Sequence, residues 1–295
     1  MEDATATLSS TILQRKLDLN REQLTGQAYS FAIAVRFLTK GSAIHFCPRR
    51  IASTIAFLCL SWLLPSGGSA FAGDLGAKGC VDRDLDFGLN AVGWIPLQLS
   101  KLKRNTNYEL AHDGNVPVLR ATANASASAY AVHIKPPIPV PARIRWRWKT
   151  DAAVPGADNR IKDREDAPLR VIVGFDGDVS NLPAAEQRVF WRARVLSGLS
   201  LPYATLMYIW SEQIPAETVV PSAYTSQVKM LVVSSGTNGL GHWQSFARNL
   251  VDDYRHAFRT EPGRVLGVAV MTDTDNTGTQ GVGEYADIRL TCTAE

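Results

Sequence analysis

The sequence predicts a mainly β protein: a single antiparallel β-sandwich, jelly-roll-like, with two peripheral helices. Three observations carry this expectation. Short segments rich in Val, Ile, Tyr and Trp recur between turn residues without helices alternating between them, which is the pattern of a sandwich rather than of βαβ units. Arg143 to Lys149 alternates strictly, with Ile144, Trp146 and Trp148 on one face and Arg143, Arg145, Arg147 and Lys149 on the other. No linker, repeat or low-complexity tract divides residues 73 to 295, a length ample for one core.

Before residue 73 the chain reads differently. Arg49-Arg50 precede an uncharged apolar run, Ile51 to Leu64, and then small residues ending at Ala72. A basic segment, a short apolar one and an A-x-A-like site together make a signal peptide. A spanning helix would need about 20 apolar residues. Residues 49–72 are therefore expected to be a signal peptide cleaved after Ala72, and residues 1–48 an extension outside the mature protein. Residues 73–295 are then one periplasmic or secreted domain with no membrane span.

Trimming removes the charge. Seven of the 31 Lys/Arg and four of the 28 Asp/Glu precede residue 73, which leaves 24 of each. A nucleic-acid binder needs a basic surplus to displace counterions, so that class is excluded. Of four cysteines, Cys80 and Cys292 remain, near the two ends of the domain. In an exported protein such a pair is most simply a disulfide, with free thiols the alternative.

In chain order, strands are expected at Ala91 to Ile95, Tyr108 to Ala111, Val116 to Ala121, Ala129 to Ile134 and Arg143 to Lys149. Further ones follow at Leu169 to Asp176, Thr205 to Ser211, Gln227 to Ser234, Val265 to Met271 and Glu284 to Cys292. The four cations of 143–149 need partners, and Asp151, Asp158, Asp163, Glu165 and Asp166 follow closely enough to supply them. Asn181-Leu-Pro183 opens a first helix over Ala184 to Leu196. Trp243, Phe246, Leu250, Tyr254 and Ala257 recur at helical spacing and predict a second, stopped by Pro262-Gly263.

The chemistry concentrates between Met271 and Glu284. Asp273, Asp275, Thr277 and Glu284 occupy positions 1, 3, 5 and 12 of a calcium-type loop, with Gly278 at position 6. Calcium is thus the one cofactor the sequence suggests. The alternative is a hairpin whose Asp and Asn side chains, Asn276 among them, cap their own backbone. Trp148 is either core or a platform on which a sugar ring stacks. No G-x-S-x-G elbow, H-E-x-x-H or Cys–His nucleophile pattern appears.

Taken together, Trp146-Arg-Trp-Lys149, Glu165-Asp166 ahead of Arg170-Val171, Tyr208-Ile-Trp210, Tyr224-Thr225, Trp243, Arg248, Asp252-Asp253-Tyr254, Pro262 and Met271-Thr-Asp-Thr-Asp-Asn-Thr-Gly278 resemble the domain of unknown function 3047 family. The resemblance implies an exported bacterial protein with one domain, and brings no activity with it. The ligand-binding candidates are Trp148, Glu165, Asp166, Arg170, Tyr208, Trp210, Asp273, Asp275 and Asn276. Non-catalytic binding of a glycan or other cell-envelope ligand is the leading expectation. A polysaccharide hydrolase or lyase built on Asp273, Asp275, Glu165 and Asp166, with Arg170 stabilising charge, is the rival, and a structural envelope protein the third reading.

Overall fold

A computed structural model describes residues 79–88, 91, 93–198 and 200–292. The expected extension, signal peptide and cleavage site lie outside the described residues. Among the described residues, no helix is long and apolar enough to cross a membrane.

Among the described residues, thirteen strands form two packed sheets. In chain order they are β1 (Arg83–Asp84), β2 (Trp94–Leu97), β3 (Asn107–Asp113), β4 (Val116–Asn124), β5 (Ala129–Ile138), β6 (Arg143–Lys149) and β7 (Ala167–Phe175). Then come β8 (Ala204–Ser211), β9 (Val219–Pro221), β10 (Val228–Ser235), β11 (Gln244–Asn249), β12 (Val265–Asp273) and β13 (Gln280–Thr291). The helices are α1 (Ala184–Ser197) and α2 (Leu250–Phe258).

One sheet has the order β11-β6-β13-β4-β3, with β1 on β13; the other runs β2-β5-β12-β7-β8-β10-β9. The chain passes between them at β1–β2, β2–β3, β4–β5, β5–β6, β6–β7, β10–β11, β11–β12 and β12–β13, which is jelly-roll-like passage. Among the described residues, the pairings of these strands are antiparallel except β8 with β10.

The predicted alternation in β6 holds. Ile144, Trp146 and Trp148 are fully buried, and Trp146 packs against Tyr208 of the facing sheet with ring centroids 4.9 Å apart. Two of the cations opposite find partners other than those expected. Lys149 pairs with Glu284 at 2.7 Å and Arg147 with Asp287, because β13 lies beside β6 in register. Of the expected acids, Asp158 pairs instead with its neighbour Arg160.

The second helix is shorter than the spacing suggested. Gln244–Asn249 is a strand on β6, with Phe246 opposite Trp146, and the helix begins only at Leu250. Asn249 makes that break: its side chain accepts from the amides of Val251 and Asp252 and caps the first turn. An apolar residue every three or four positions served first a strand and then a helix.

Cys80 and Cys292 are joined by a disulfide, beside the β1–β13 pairing. The sheet containing β12 also carries apolar residues on its outer face. Ile95, Ala131, Ala269, Ile172, Met207 and Met230 lie side by side across six strands. All but the exposed Ile95 belong to two apolar clusters separate from the interior one.

Candidate functional site

One end of that outer face holds the densest chemistry. Arg170, on β7, is fully buried, and its guanidinium grips Asp273 at the end of β12 through two bonds, 2.8 and 3.1 Å. A third bond, 2.7 Å, goes to the Glu165 carbonyl. The remaining nitrogen, Nη1, meets only sulfur, at 3.4 Å from Met230 and 3.9 Å from Met207. Burial pushes the Asp273 carboxyl up to about 6, against the pull of Arg170.

Asp166 completes the group. One oxygen from each of Asp166, Asp273 and Asp275 lies within 4.8 Å of the others. Three carboxylates this close repel unless each is answered, and each is. Asp273 has Arg170 and the Ala167 amide, while Asp275 meets Lys103 at 2.5 Å. Asp166 accepts from the backbone amides of Asn276 and Thr277 at 3.2 and 2.7 Å.

The Asp-rich loop is therefore not capped by its own side chains. It wraps its amides around a carboxylate from elsewhere in the chain, and Gly278, at φ +67°, closes the turn in the left-handed region. Gly283 lets β13 come close to β7, because a Cβ there would stand 2.4 Å from the Pro168 carbonyl oxygen.

The calcium arrangement expected of Asp273, Asp275, Thr277 and Glu284 is not the one the fold assembles. Glu284 lies on β13 between Lys149 and Arg120, at 2.7 and 3.2 Å, and is outside the acidic group. Calcium wants six to eight free oxygens. Here Arg170, Lys103 and backbone amides already take most of the carboxylate oxygens of Asp166, Asp273 and Asp275.

Two aromatic candidates are corrected as well. Trp148 has no exposed ring face: it packs edge-on against Trp146 and Phe246 and donates to Gln244 Oε1 at 3.1 Å. Tyr208 is buried in the interior, where its hydroxyl donates to Asp253 at 3.0 Å. Both residues alternate inward on central strands, so packing claims them. Trp210 is nearly as buried, though it borders a small cleft together with Asn159, Asp166, Ser211 and Glu212.

What the sequence reading missed is the rim above Arg170. Glu165, half-buried, has its carboxyl raised, chiefly by burial and against the pull of Arg170; it also accepts from the Ala223 amide. Next to Ala223, Tyr224 is 52% exposed, and Lys162 sits over its ring at 5.0 Å. Asn276 ties down the Lys162 carbonyl at 3.1 Å. Asp275 Oδ1 is buried without a hydrogen-bond partner. The loops carrying Lys103, Glu165, Tyr224 and Asn276 thus meet at one rim. Tyr224 stood in the family series, but nothing in its spacing marked it as the exposed ring.

These features define a jelly-roll-like sandwich with an acid–arginine knot under one end of its outer face. The chain belongs to the family described as "Protein of unknown function (DUF3047)", whose model matches residues 92–289. No curated protein matches it. Among solved structures, it is similar to the family 11 carbohydrate-binding module of the cellulosomal cellulase Lic26A-Cel5E of Clostridium thermocellum. That match has 7% identity, covers 73% of this chain and 96% of the module, and has a TM-score of 0.38. The cellulose induced protein Cip1 matches at 11% identity over 72% of this chain and 97% of its own, with a TM-score of 0.32. The xyloglucanase domain of NopAA from Sinorhizobium fredii matches at 7% identity over 62% and 91%, with a TM-score of 0.31.

Proposed function

We propose that the protein is an exported single-domain module, released after Ala72, that binds a glycan or another cell-envelope ligand without catalysis. The ligand sits on the rim formed by Tyr224, Glu165, Lys162, Asn276 and Lys103. One observation carries the reading: an exposed aromatic ring stands beside a half-buried carboxylate and an amide. A sugar asks for that combination, with its C–H face against the ring and its hydroxyls on the polar groups. The commitment of Asp166, Asp273 and Asp275 to internal partners supports binding over hydrolysis. The disulfide is compatible with an extracellular location.

A glycan-array and thermal-shift screen tests the proposal. The expected result is a hit whose affinity falls about fivefold or more in Tyr224→Ala, an aromatic contact contributing about 1 kcal/mol. The melting temperature of the free variant should stay put, because the ring is exposed. Binding that is indifferent to Tyr224→Ala and Glu165→Gln overturns the assignment.

The rival is a polysaccharide hydrolase or lyase, and it is favoured by the upward-shifted carboxyls of Glu165 and Asp273 at one site. Under it, Glu165→Gln abolishes chain cleavage while leaving binding in place.

A further inference from the structure

Helix α1 is the element least integrated with the sandwich. None of its described side chains is buried. It is held at one end: Glu186 accepts from the Thr225 hydroxyl and the Ser226 amide at 2.5 and 3.0 Å, and Gln187 reaches the Ser180 and Leu182 carbonyls. Glu186, Val189, Phe190 and Ala193 are half-buried and recur at three- and four-residue spacing, so they define the inward side.

The outward side has an unusual composition. Trp191 is 63% exposed and Val195, one turn on, is 60% exposed, so the two form one apolar strip. Arg188, Arg192 and Arg194 flank it, all exposed, and among the described residues none of the three is ion-paired. The helix has a single acid, Glu186, which is turned inward and engaged. Asp178, before the helix, is occupied by Ser180 and Asn181. Folding gains nothing from leaving an indole in water, and three unanswered guanidinium groups repel one another. Residues 73–295 are neutral in sum, so this charge is local.

We infer that α1 is a docking element for an anionic lipid surface. Trp191 and Val195 enter the boundary between headgroups and acyl chains, and Arg188, Arg192 and Arg194 take lipid phosphates. Charge complementarity and the aromatic wedge select this occupant. A helix lying in the interface wants arginines on its polar side and a tryptophan on its apolar one, with an acid-free approach. An acidic protein would answer the arginines but offers no hydrocarbon for the indole. The inference is independent of the glycan rim.

The test uses the full chain with vesicles of phosphatidylglycerol and phosphatidylcholine, against pure phosphatidylcholine vesicles. Wild type is compared with R188Q/R192Q/R194Q and with Trp191→Phe. All carry the same residues 1–78, so any difference belongs to the helix. Each arginine near an anionic surface contributes roughly fivefold, so the triple variant should bind the mixed vesicles about a hundredfold more weakly. Brominated lipids should quench a fraction of the fluorescence that is missing in Trp191→Phe. Unchanged melting temperatures, expected of exposed positions, keep the comparison valid. Equal affinity of wild type and triple variant for the mixed vesicles overturns the inference. So does the absence of Trp191 quenching, or binding of polyglutamate in preference to vesicles, which would point to an acidic protein instead.

Discussion

Two arginine–carboxylate knots, one on each side of the central strand β8, make an instructive pair. Arg170 and Asp273 are 2% and 5% exposed, whereas Arg248 and Asp253 are 22% and 9% exposed. Arg248 binds Asp253 at 2.7 and 2.9 Å, shares its other bonds with Glu217, and has Tyr208 beside it. It is a brace, pinning the start of α2 to a core tyrosine and a surface acid.

Arg170 has no such outlet to solvent. It is ringed by acids, with Asp166 and Asp275 close to Asp273, and it has one nitrogen facing only methionine sulfur. Burial in this knot pushes the Asp273 carboxyl up to about 6. The lesson is that a buried pair with surplus charge around it is tuned, while a half-exposed pair is merely fastened.

The largest expected effect breaks that contrast from the Arg170 side. Arg170→Met strands Asp273 in the interior, and should destabilise the fold by about 3–5 kcal/mol in chemical denaturation. Arg170→Met with Asp273→Leu removes both charges and should recover most of the loss. A double variant as unstable as the single would mean that the knot acts through shape alone.

Arg248→Met leaves Asp253 nearer to water and still bonded to Tyr208, so a smaller cost, about 1–3 kcal/mol, is expected by the same measurement. Tyr208→Phe removes one hydrogen bond to that carboxylate and should cost about 1 kcal/mol.

The gentlest probe is titration. By carboxyl NMR, Asp273 should lose its proton near pH 6. An unfolded chain releases the same proton near its ordinary value of 3.8. Between those two values the native state holds more protons, so this group's contribution to stability falls as pH rises through the window. A midpoint near 4 would reduce the Arg170 knot to a second brace.

The sandwich was legible because its signals are local. Strict alternation in 143–149 fixes which side of β6 faces inward, and Val/Ile-rich segments mark β7, β10 and β12. The end of the candidate site was also half-legible, since Asp273, Asp275, Asn276, Glu165, Asp166 and Arg170 do meet there. Their pairing was not. Whether Asp275 meets a metal or Lys103 depends on where the loop at 98–106 lies, and residues some 170 positions apart say nothing about that in sequence. Glu284 is the clearest case, because spacing alone put it in a calcium loop and strand register handed it to Lys149. For Trp148 the sequence leaves core and sugar platform both open, and Tyr208 is only one ligand-binding candidate among several; alternation into a two-sheet interior leaves central-strand aromatics no solvent. Tyr224 escaped notice because exposure belongs to the assembled surface.

The cross-link between Cys80 and Cys292 joins positions 212 apart in sequence with Cα atoms 5.8 Å apart. Any pull entering the domain ahead of Cys80 and leaving it beyond Cys292 runs straight through a covalent bond. The intervening polypeptide hangs from that clasp as a closed ring under no tension, so while the bond stays oxidised, stretching its tails cannot peel the sheets apart.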